Sequence, residues 1–424
     1  MTRMCDTLCS LPKNNGDPKV GLFGKNSDRD PNEIQVVEFY PRMSREGRMN
    51  ATHIEVECEG DVNAILISRP LWMWGAEMGV NEKGVAIGNE AIFSNPKNKK
   101  NGLLGMDLLR LGLERGKDSL SAAHTIVEYL EKYGQGGSND QFKDEYYNNS
   151  FLISDGKRVL ELYIIGSEYL LREVNRFDTI SNSVARERES EKADIGKSHN
   201  FSYKEDFLYT RLGRGFERSK FTTDSLNSES GGIELGDFFK TLRHHDGDWT
   251  HPKLGSNGDI CMHAGPLSRR FQTVNSMVVE IGEKRSIVWS TFSSNPCISL
   301  YKPILFSEER TYWLNYDQNY WLKSELIHRK YQESRSASYL DEMHSVDDEQ
   351  EHIINSIGTI RRKWLSGDNL ATEEYEEILN GIGKIDSEHL GKLQKSYGSV
   401  SSSGLAGPYG AWWKRKSESL AQSQ

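Results

Sequence analysis

The sequence predicts an α+β fold, a four-layer αββα sandwich with a helical extension at its C-terminal end. Three observations support this fold. Short strand patterns separated by turn residues run to about residue 92, and two apolar helix patterns follow at 103–116 and 118–134. Strand patterns then resume near residue 150. Two sheets packed face to face, with helices on their outer faces, accommodate this order of elements.

The first part of the chain is a series of predicted short strands. Residues 6–11 and 20–25 flank a cluster of Pro, Asn, Gly and Asp that is typical of a hairpin loop. Further apolar or alternating runs follow at 36–40, 53–58, 64–68 and 85–89. We expect all of these strands to belong to one antiparallel sheet.

Two helices are predicted next. Apolar residues in 103–113 are too dense and the run is too long for a strand, and Gly116 ends it. The second helix has Asp118 or Ser119 as its N-cap and Gly134 just past its last turn. Later strands are expected at 150–154, 159–165, 169–174, 179–182, 276–281 and 286–290, with a charged loop at 187–197 and a helix at 235–243.

The composition changes to polar helix patterns beyond about residue 315. Three helices are expected, at 319–334, 347–366 and 372–395, and they either cap the core or form an oligomer interface. Residues 397–424 are rich in Ser and Gly and predict a poorly ordered tail, which Trp412 and Trp413 could attach to the body. The predicted domains are therefore 5–314 for the sandwich, 315–396 for the helices and 397–424 for the tail.

Composition disfavours several functional classes. The 424 residues carry a formal net charge of −9, which argues against nucleic acid as a partner. No run of about eighteen apolar residues occurs, so no membrane span is expected. Residues 1–15 lack the apolar core of a signal peptide, and we expect a cytoplasmic location. The five Cys residues are scattered without a Cys-x-x-Cys pair, and four are expected to be buried reduced thiols.

Cys5 is the candidate nucleophile. A single Cys near the start of a chain is by itself more often a half-buried strand residue. Lys25 and Asp28, however, lie on the neighbouring strand of the predicted hairpin, and a nearby cation lowers the pKa of a thiol. If residues 1–4 are removed, Cys5 also supplies an α-amino group with a pKa of roughly 7.7 to 8.0, which suits a general base.

These residues belong to a set of segments that make the chain similar to a known family. The matching segments are MCDTL (4–8), FGKNSDRDPNE (23–33), SRP (68–70), WGAEMG (74–79), NEKGV (81–85), NEA (89–91), LGMDL (104–108), LGLERG (111–116), GQGG (134–137) and SNPCIS (294–299). Over residues 5–303 the chain resembles the secernins, a branch of the N-terminal nucleophile hydrolases close to bacterial cysteine dipeptidases. The resemblance implies the αββα fold of those hydrolases.

The resemblance also implies roles for individual residues. Cys5 matches the nucleophile, and GKNSD (24–28) is similar to the Gly-Arg-Asn-x-Asp segment of penicillin and bile-salt acylases. Lys25 thus replaces an arginine, keeping its charge but not its planar fork. Asp28 is expected to hydrogen-bond the α-amine of Cys5, although a turn cap is the alternative. Asn182 and, as a weaker match, Asn89 correspond to donors that stabilise the oxyanion.

The last position implied by the resemblance is an arginine before a helix. Arg211, Arg214 and Arg218 all qualify, and Arg214 fits best when counted back from residues 238–239. Each of these arginines is otherwise expected to be a solvated charge.

Metal and phosphate chemistry find little support in the sequence. The histidines at 244, 245, 251 and 263 lack the spacing of a metal motif and are expected to be surface or hydrogen-bonded residues. GQGG (134–137) lacks the Lys-Ser/Thr of a phosphate-binding loop. No metal and no cofactor are therefore predicted.

The sequence thus predicts a cysteine-dependent amide hydrolase, foremost a dipeptidase acting on small peptides or amides. Residues 1–4 are either a short propeptide or precede a true start at Met4, from which an aminopeptidase would remove one residue. Two alternatives stay open: a secernin-like regulatory protein of secretion with little or no activity, and an amidase for non-peptide acyl amides. A homo-oligomer is a further expectation.

Overall fold

Two antiparallel sheets lie face to face in the computed structural model of this chain, and helices cover their outer faces. The structure describes residues 4–12, 19–95, 100–183, 192–198, 213–227, 233–246, 256–266, 269–308, 311–313, 316–333, 339–398 and 407–422.

The first sheet has seven strands, in the order Phe177–Ile180, Asp6–Ser10, Gly21–Arg29, Gln272–Ile281, Ser286–Ser290, Lys302–Phe306 and Thr311–Tyr312. The second has eight, in the order Lys192–Lys197, Glu168–Val174, Val159–Ile165, Asn148–Ser154, Ala86–Ile92, Met78–Asn81, Ile65–Pro70 and Gln35–Tyr40. Neighbouring strands in both sheets pair antiparallel. Two short hairpins pair Met43–Arg45 with Gly60–Val62 and Arg48–Asn50 with Glu55–Glu57.

The facing surfaces of the two sheets share one apolar core. Cys9 and Phe23 of the first sheet pack in one cluster with Leu66, Met78 and Leu152 of the second. Successive side chains of a strand point to opposite faces, so each sheet has a second surface to cover.

Helices cover those second surfaces. The helix Leu235–Leu242 packs Phe238 and Phe239 into the cluster on the outer face of the first sheet. The helices Gly105–Arg115 and Ser119–Tyr133 cover the second sheet. The order helix, sheet, sheet, helix confirms the predicted four-layer sandwich.

The ends of the helix Ser119–Tyr133 follow from local chemistry, as predicted. The Asp118 carboxylate accepts a hydrogen bond from the backbone N–H of Ser121 at 2.7 Å. Gly134 follows the last turn with a φ of 71°, a backbone conformation that costs glycine little.

The remaining α-helices among the described residues are Gly215–Asn227, Gln318–Glu333, Tyr339–Ser356, Gly358–Ser366, Thr372–Gly398 and Gly407–Gln422. Trp364 and Leu379, from two of the C-terminal helices, belong to the same apolar cluster as the outer face of the first sheet, so these helices cap the core. Among the described helices, none is both long enough and apolar enough to cross a membrane.

Several local predictions differ from the structure. The strands before residue 92 do not form one sheet, because Asp6–Ser10 and Gly21–Arg29 pair with distant strands of the first sheet while the others join the second. The predicted strand 53–58 shortens to Glu55–Glu57 in a separate hairpin. Of the charged loop predicted at 187–197, residues 192–197 form the strand Lys192–Lys197, and residues 187–191 lie outside the described residues.

The C-terminal region differs as well. The helix predicted at 347–366 is two helices that meet at Ile357. The tail predicted to be poorly ordered contains the helix Gly407–Gln422, whose Trp413 is fully buried. A buried Trp supplies enough apolar contact to order this segment against the body.

Close packing between the layers makes Gly75→Ala a specific test of the fold. A Cβ at Gly75 would overlap backbone atoms of Met106 and Asp107 at the start of the helix Gly105–Arg115, and backbone cannot yield as a side chain can. We expect a loss of about 2 kcal/mol or more in the free energy of unfolding, measured by urea denaturation. The matched control is Gly236→Ala, where a Cβ meets nothing within 4 Å and the helix should gain about 0.4 to 1 kcal/mol. Equal midpoints for the two variants would contradict the packing described.

Candidate active site

Cys5 lies one residue before the strand Asp6–Ser10, which is paired on both sides within the first sheet. The register of the hairpin places Asp6 opposite Asn26, which brings Cys5 next to Asp28. The backbone N–H of Asp28 donates to the Cys5 sulfur at 3.3 Å. The Cys5 side chain is 5% exposed, and Met4 before it is 1% exposed, so both are buried.

Hydrogen bonds link the backbone nitrogen of Cys5 to Asn182, Arg218 and Asp6. That nitrogen donates to the Asn182 Oδ1 at 2.8 Å, and the Arg218 Nη2 donates to the same oxygen at 2.8 Å. The Arg218 Nε donates to the Asp6 Oδ1 at 3.2 Å. Because Met4 precedes Cys5, the nitrogen here is a peptide nitrogen, and it stands where the α-amine would be after removal of residues 1–4.

The Asn182 amide turns its oxygen towards the nitrogen of Cys5. Its Nδ2 donates to the backbone oxygen of Ala91 at 2.9 Å, while its oxygen faces Cys5. The predicted oxyanion donor is therefore, in this arrangement, an acceptor for the Cys5 nitrogen. The helix Gly215–Asn227 keeps it in place through Arg218, which is fully buried.

Lys25 is fully buried and faces the second sheet. Its Nζ lies 3.3 Å from the Glu90 Oε1 and 3.8 Å from the Glu77 Oε2. Burial lowers the pKa of Lys25, but the charges of Cys5, Glu90, Glu77 and Asp28 more than offset this and raise it, so the amine stays protonated. The expected cation beside the thiol is present.

The thiol itself is not activated in this state. Burial raises the pKa of Cys5 well above its ordinary value, and the charges of Glu90, Glu77 and Asp28 add to the increase, although Lys25 opposes it. A cation near the sulfur was expected to favour the thiolate. Desolvation outweighs it, because a buried anion loses its hydration and the surrounding carboxylates repel it.

The Asp28 carboxylate does not contact the nitrogen of Cys5, which was its predicted partner. Its Oδ1 accepts a hydrogen bond from Thr273 at 2.7 Å, and within the described ranges its Oδ2 is buried without a hydrogen-bond partner. Asn182, rather than the Asp28 carboxylate, binds the Cys5 nitrogen. Burial raises the pKa of Asp28 well above its usual range, and the neighbouring charge of Asp6 raises it further.

Asn89 does not reach the nucleophile. It lies on the strand Ala86–Ile92, and its Nδ2 donates to the Asn149 Oδ1 at 3.0 Å on the side of the helix Gly105–Arg115. Glu90, the next residue, points to the opposite face and reaches Lys25. The structure places Asn89 away from the nucleophile, because alternation along a strand turns position 89 away from the first sheet, and its role as an oxyanion donor stays a prediction.

Arg218, rather than the predicted Arg214, is the arginine that the structure places beside Cys5 and Asn182. Arg214 is 38% exposed and pairs with Asp246 at 2.5 Å on the surface, whereas Arg218 is the arginine that enters the site. Arg214 precedes the helix Gly215–Asn227 with a φ of 47° and contacts Asp246 and Ser256, and Arg218 lies about one turn further on the buried face. Arg211 lies outside the described residues.

Sequence reasoning missed several buried charges of the site. Asp6 and Glu90 are each fully or almost fully buried, and Glu90 also accepts a hydrogen bond from the Thr7 hydroxyl. Glu77 binds both Lys25 and Arg29. The signal that could have identified them is their position inside the matching segments MCDTL, WGAEMG and NEA, where charged residues interrupt buried strands.

The histidines are not scattered as predicted. His245 and His263 are buried and lie together with the thiols of Cys261 and Cys297. His244 stacks on Phe221, with ring centroids 3.7 Å apart. His251 lies outside the described residues.

Comparison with known proteins gives structural similarity at low sequence identity. No family model matches the sequence. The chain is similar to a mutant of conjugated bile acid hydrolase from Clostridium perfringens, with 14% identity over 74% of this chain and 98% of that chain and a TM-score of 0.45. It is similar to penicillin V acylase from Agrobacterium tumefaciens, with 13% identity over 72% and 89% of the two chains and a TM-score of 0.45. The N-acylethanolamine-hydrolyzing acid amidase ortholog of Caenorhabditis elegans gives 10% identity over 65% and 92%, with a TM-score of 0.34.

Substitution of Arg218 should destabilise the protein much more than substitution of Arg214. Arg218→Gln leaves Asp6 buried without its cation, and breaking a buried ion pair costs about 3 to 5 kcal/mol, so a large drop in the urea midpoint is expected. Arg214→Gln removes only a half-exposed pair with Asp246, which is worth about 1 kcal/mol or less. A larger loss of stability for Arg214→Gln than for Arg218→Gln would contradict this assignment.

We expect Glu90 to make the free energy of unfolding depend on pH. Burial raises the pKa of Glu90 from 4.5 to about 8, so between these values the folded state holds a proton that the unfolded state has released. The stabilisation that the protonated Glu90 gives the folded state is therefore fully present below pH 4.5. It is lost as the pH rises from 4.5 towards 8. Glu90→Gln keeps the neutral form, and its unfolding free energy relative to the unsubstituted protein should increase across this window, measured by urea denaturation at each pH.

The control for this pH series is Glu57→Gln. Glu57 is about half exposed, and its hydrogen bond to Lys132 lowers the pKa of its carboxyl, so its titration lies below the window. Its difference from the unsubstituted protein should stay constant between about pH 5.5 and 8, because pH 5.5 is already about one unit above the ordinary carboxyl pKa of 4.5. The same constant difference for Glu90→Gln would show that Glu90 is not protonated in the folded state.

Proposed function

We propose that this protein is a cysteine-dependent amide hydrolase that uses Cys5 as an N-terminal nucleophile after removal of residues 1–4, and that it acts on small peptides as a dipeptidase. The observation that carries the proposal is that the nitrogen and the sulfur of the same residue are both held. Asn182 binds the nitrogen at 2.8 Å, and the N–H of Asp28 contacts the sulfur at 3.3 Å. A fixed nucleophile beside a fixed base is the arrangement that amide hydrolysis by a thiol requires.

Unpartnered oxygens support a free α-amine at this position. The peptide N–H of Cys5 offers one hydrogen, whereas a free ammonium would offer three. Within the described part of the chain, the Asp6 Oδ2 and the Asp28 Oδ2 are buried without partners. Buried carboxylate oxygens without partners are costly, and an ammonium group beside them would lower that cost.

The proposed reaction follows from these positions. The α-amine of Cys5 takes the proton of its own thiol, and Lys25 together with the Asp28 N–H stabilises the thiolate. The thiolate attacks the amide carbonyl, and the amine leaves with a proton from the α-ammonium group. Water then hydrolyses the acyl thioester. Asn182 has a second N–H beyond the one given to Ala91, and we assign it to the oxyanion.

The burial of Met4 bears on how Cys5 becomes exposed. Met4 is 1% exposed, so an aminopeptidase acting on the folded chain would have no access to it. The two routes that fit are trimming before folding is complete and cleavage of the bond before Cys5 by the protein itself. Either route empties the space beside the nucleophile that Met4 occupies, and that space would receive the substrate.

Cys5→Ala tests the proposal in a dipeptide hydrolysis assay. The rate should fall more than about a thousandfold, because the nucleophile acts together with its base as one unit. The matched control is Cys58→Ala, a buried thiol that contacts Arg115 and has no part in the site, and it should keep its activity. Undiminished hydrolysis by Cys5→Ala would overturn the proposal.

Intact-mass analysis of the active protein is the second part of this test. The expected species begins at Cys5. A preparation that hydrolyses dipeptides while Met4 remains attached would show that the α-amine is not the base. A preparation that retains Met4 and hydrolyses nothing would favour a non-catalytic, regulatory role.

A further inference from the structure

Four buried side chains that the proposed reaction does not use meet at a second place in the fold. They are His245, Cys261, His263 and Cys297, all buried, and one donor atom from each lies within 4.8 Å of the others. We infer that this four-residue cluster binds a zinc ion with a structural role.

The distances inside the cluster match a tetrahedral zinc site. The Nε2 atoms of His245 and His263 are 3.0 Å apart, and the His263 Nε2 lies 3.7 Å from the Cys261 sulfur and 3.5 Å from the Cys297 sulfur. Zinc binds sulfur at about 2.3 Å and imidazole nitrogen at about 2.0 to 2.1 Å, so ligands at the corners of a tetrahedron lie roughly 3.3 to 3.8 Å apart. Small shifts of the two rings would complete the geometry.

The types of ligand atom in the cluster indicate which metal it would bind and what role that metal would have. Two thiolates and two imidazoles in a tetrahedron are typical of zinc, whereas magnesium and calcium prefer oxygen ligands. Four protein ligands leave no open position for water or substrate, which is the mark of a structural site. Binding would convert both thiols to thiolates with release of two protons to solvent.

The cluster joins three segments that are far apart in the sequence. His245 follows the helix Leu235–Leu242, Cys261 and His263 lie in 256–266, and Cys297 lies in the turn Pro296–Ile298. The backbone N–H of Cys261 donates to His244 at 2.9 Å. Little regular structure fixes residues 256–266, so a metal bound to two residues of this segment would hold it in place.

The cluster is also connected to the candidate active site. Met262, between two of the ligands, donates its N–H to the Thr273 hydroxyl at 2.9 Å, and that hydroxyl donates to the Asp28 Oδ1 at 2.7 Å. The neighbouring Asn257 accepts from Arg218 at 3.4 Å. Loss of the ion would therefore loosen Asp28 and Arg218 together.

Metal analysis of the purified full-length protein tests the inference without any activity assay. Elemental analysis after dialysis against a weak chelator should find about one zinc per chain. The double variant with Cys261→Ser and Cys297→Ser should lose this zinc, and the control Cys58→Ser should keep it. Cobalt(II) offered to the zinc-depleted protein should give the visible absorption of a tetrahedral thiolate complex.

Two results would overturn the inference. One is unsubstituted protein that contains far less than one zinc per chain and, with its thiols reduced, takes up neither zinc nor cobalt. The other is a disulfide between Cys261 and Cys297 in protein kept under reducing conditions, which would remove both sulfur ligands. Both measurements use the unsubstituted chain, so the test still decides if the double variant fails to fold.

Discussion

The geometry of the candidate site depends on one buried guanidinium group. Arg218 comes from the helix Gly215–Asn227 and binds Asp6 of the first strand and Asn182 of the segment after Phe177–Ile180. An arginine without exposure to water is tolerated only when its donors are satisfied, so these contacts fix the three segments relative to one another. Asn182, held in this way, then fixes the nitrogen of Cys5.

The space between the two sheets contains both an apolar core and a polar site. Along the first strand, Cys9 belongs to the apolar core, whereas the Thr7 hydroxyl and the Cys5 thiol lie among charged groups. Across the gap, Gly88 leaves room for the Lys25 side chain, because a Cβ there would lie 2.9 Å from the Lys25 Cδ. The strands Asp6–Ser10 and Gly21–Arg29 therefore contribute to the apolar core at one end and to a polar site a few residues away.

Sequence periodicity predicted the elements and the layers, but not which strands pair. The hairpin that carries Cys5 and Lys25 pairs with Gln272–Ile281, and neither strand pattern contains information about a partner about 250 residues away. Cys5, Lys25 and Asp28 could be placed together because one hairpin carries all three. Asn182 was found through a motif and has a different contact from the one expected.

Two placements that differ from the predicted ones share a physical cause. Choosing Asn89 instead of Glu90, or Arg214 instead of Arg218, requires knowing which face of a strand or helix turns inward, and neighbouring elements decide that. The cluster of His245, Cys261, His263 and Cys297 was invisible for a related reason. Three segments supply its members, and proximity in the fold rather than spacing in the sequence brings them together.

The charges around Cys5 give a physical reason why the site would favour a processed N-terminus. Four buried carboxyls, Asp6, Asp28, Glu77 and Glu90, lie among three buried cations, Lys25, Arg29 and Arg218, and Arg29 also pairs with the buried Glu33. Desolvation raises the pKa of Asp6, Asp28 and Glu90, which shows that the acids are not fully compensated.

A peptide nitrogen at Cys5 adds no charge to this set, whereas an α-ammonium group would add a positive one beside the unpartnered oxygens of Asp6 and Asp28. In the proposed mechanism the same group takes the thiol proton as a free amine and later returns a proton to the leaving amine. Each ionised carboxylate nearby favours the ammonium form and so makes the amine a stronger base, while Lys25 balances the thiolate. Removal of residues 1–4 would thus complete the electrostatics of the site as well as expose its nucleophile.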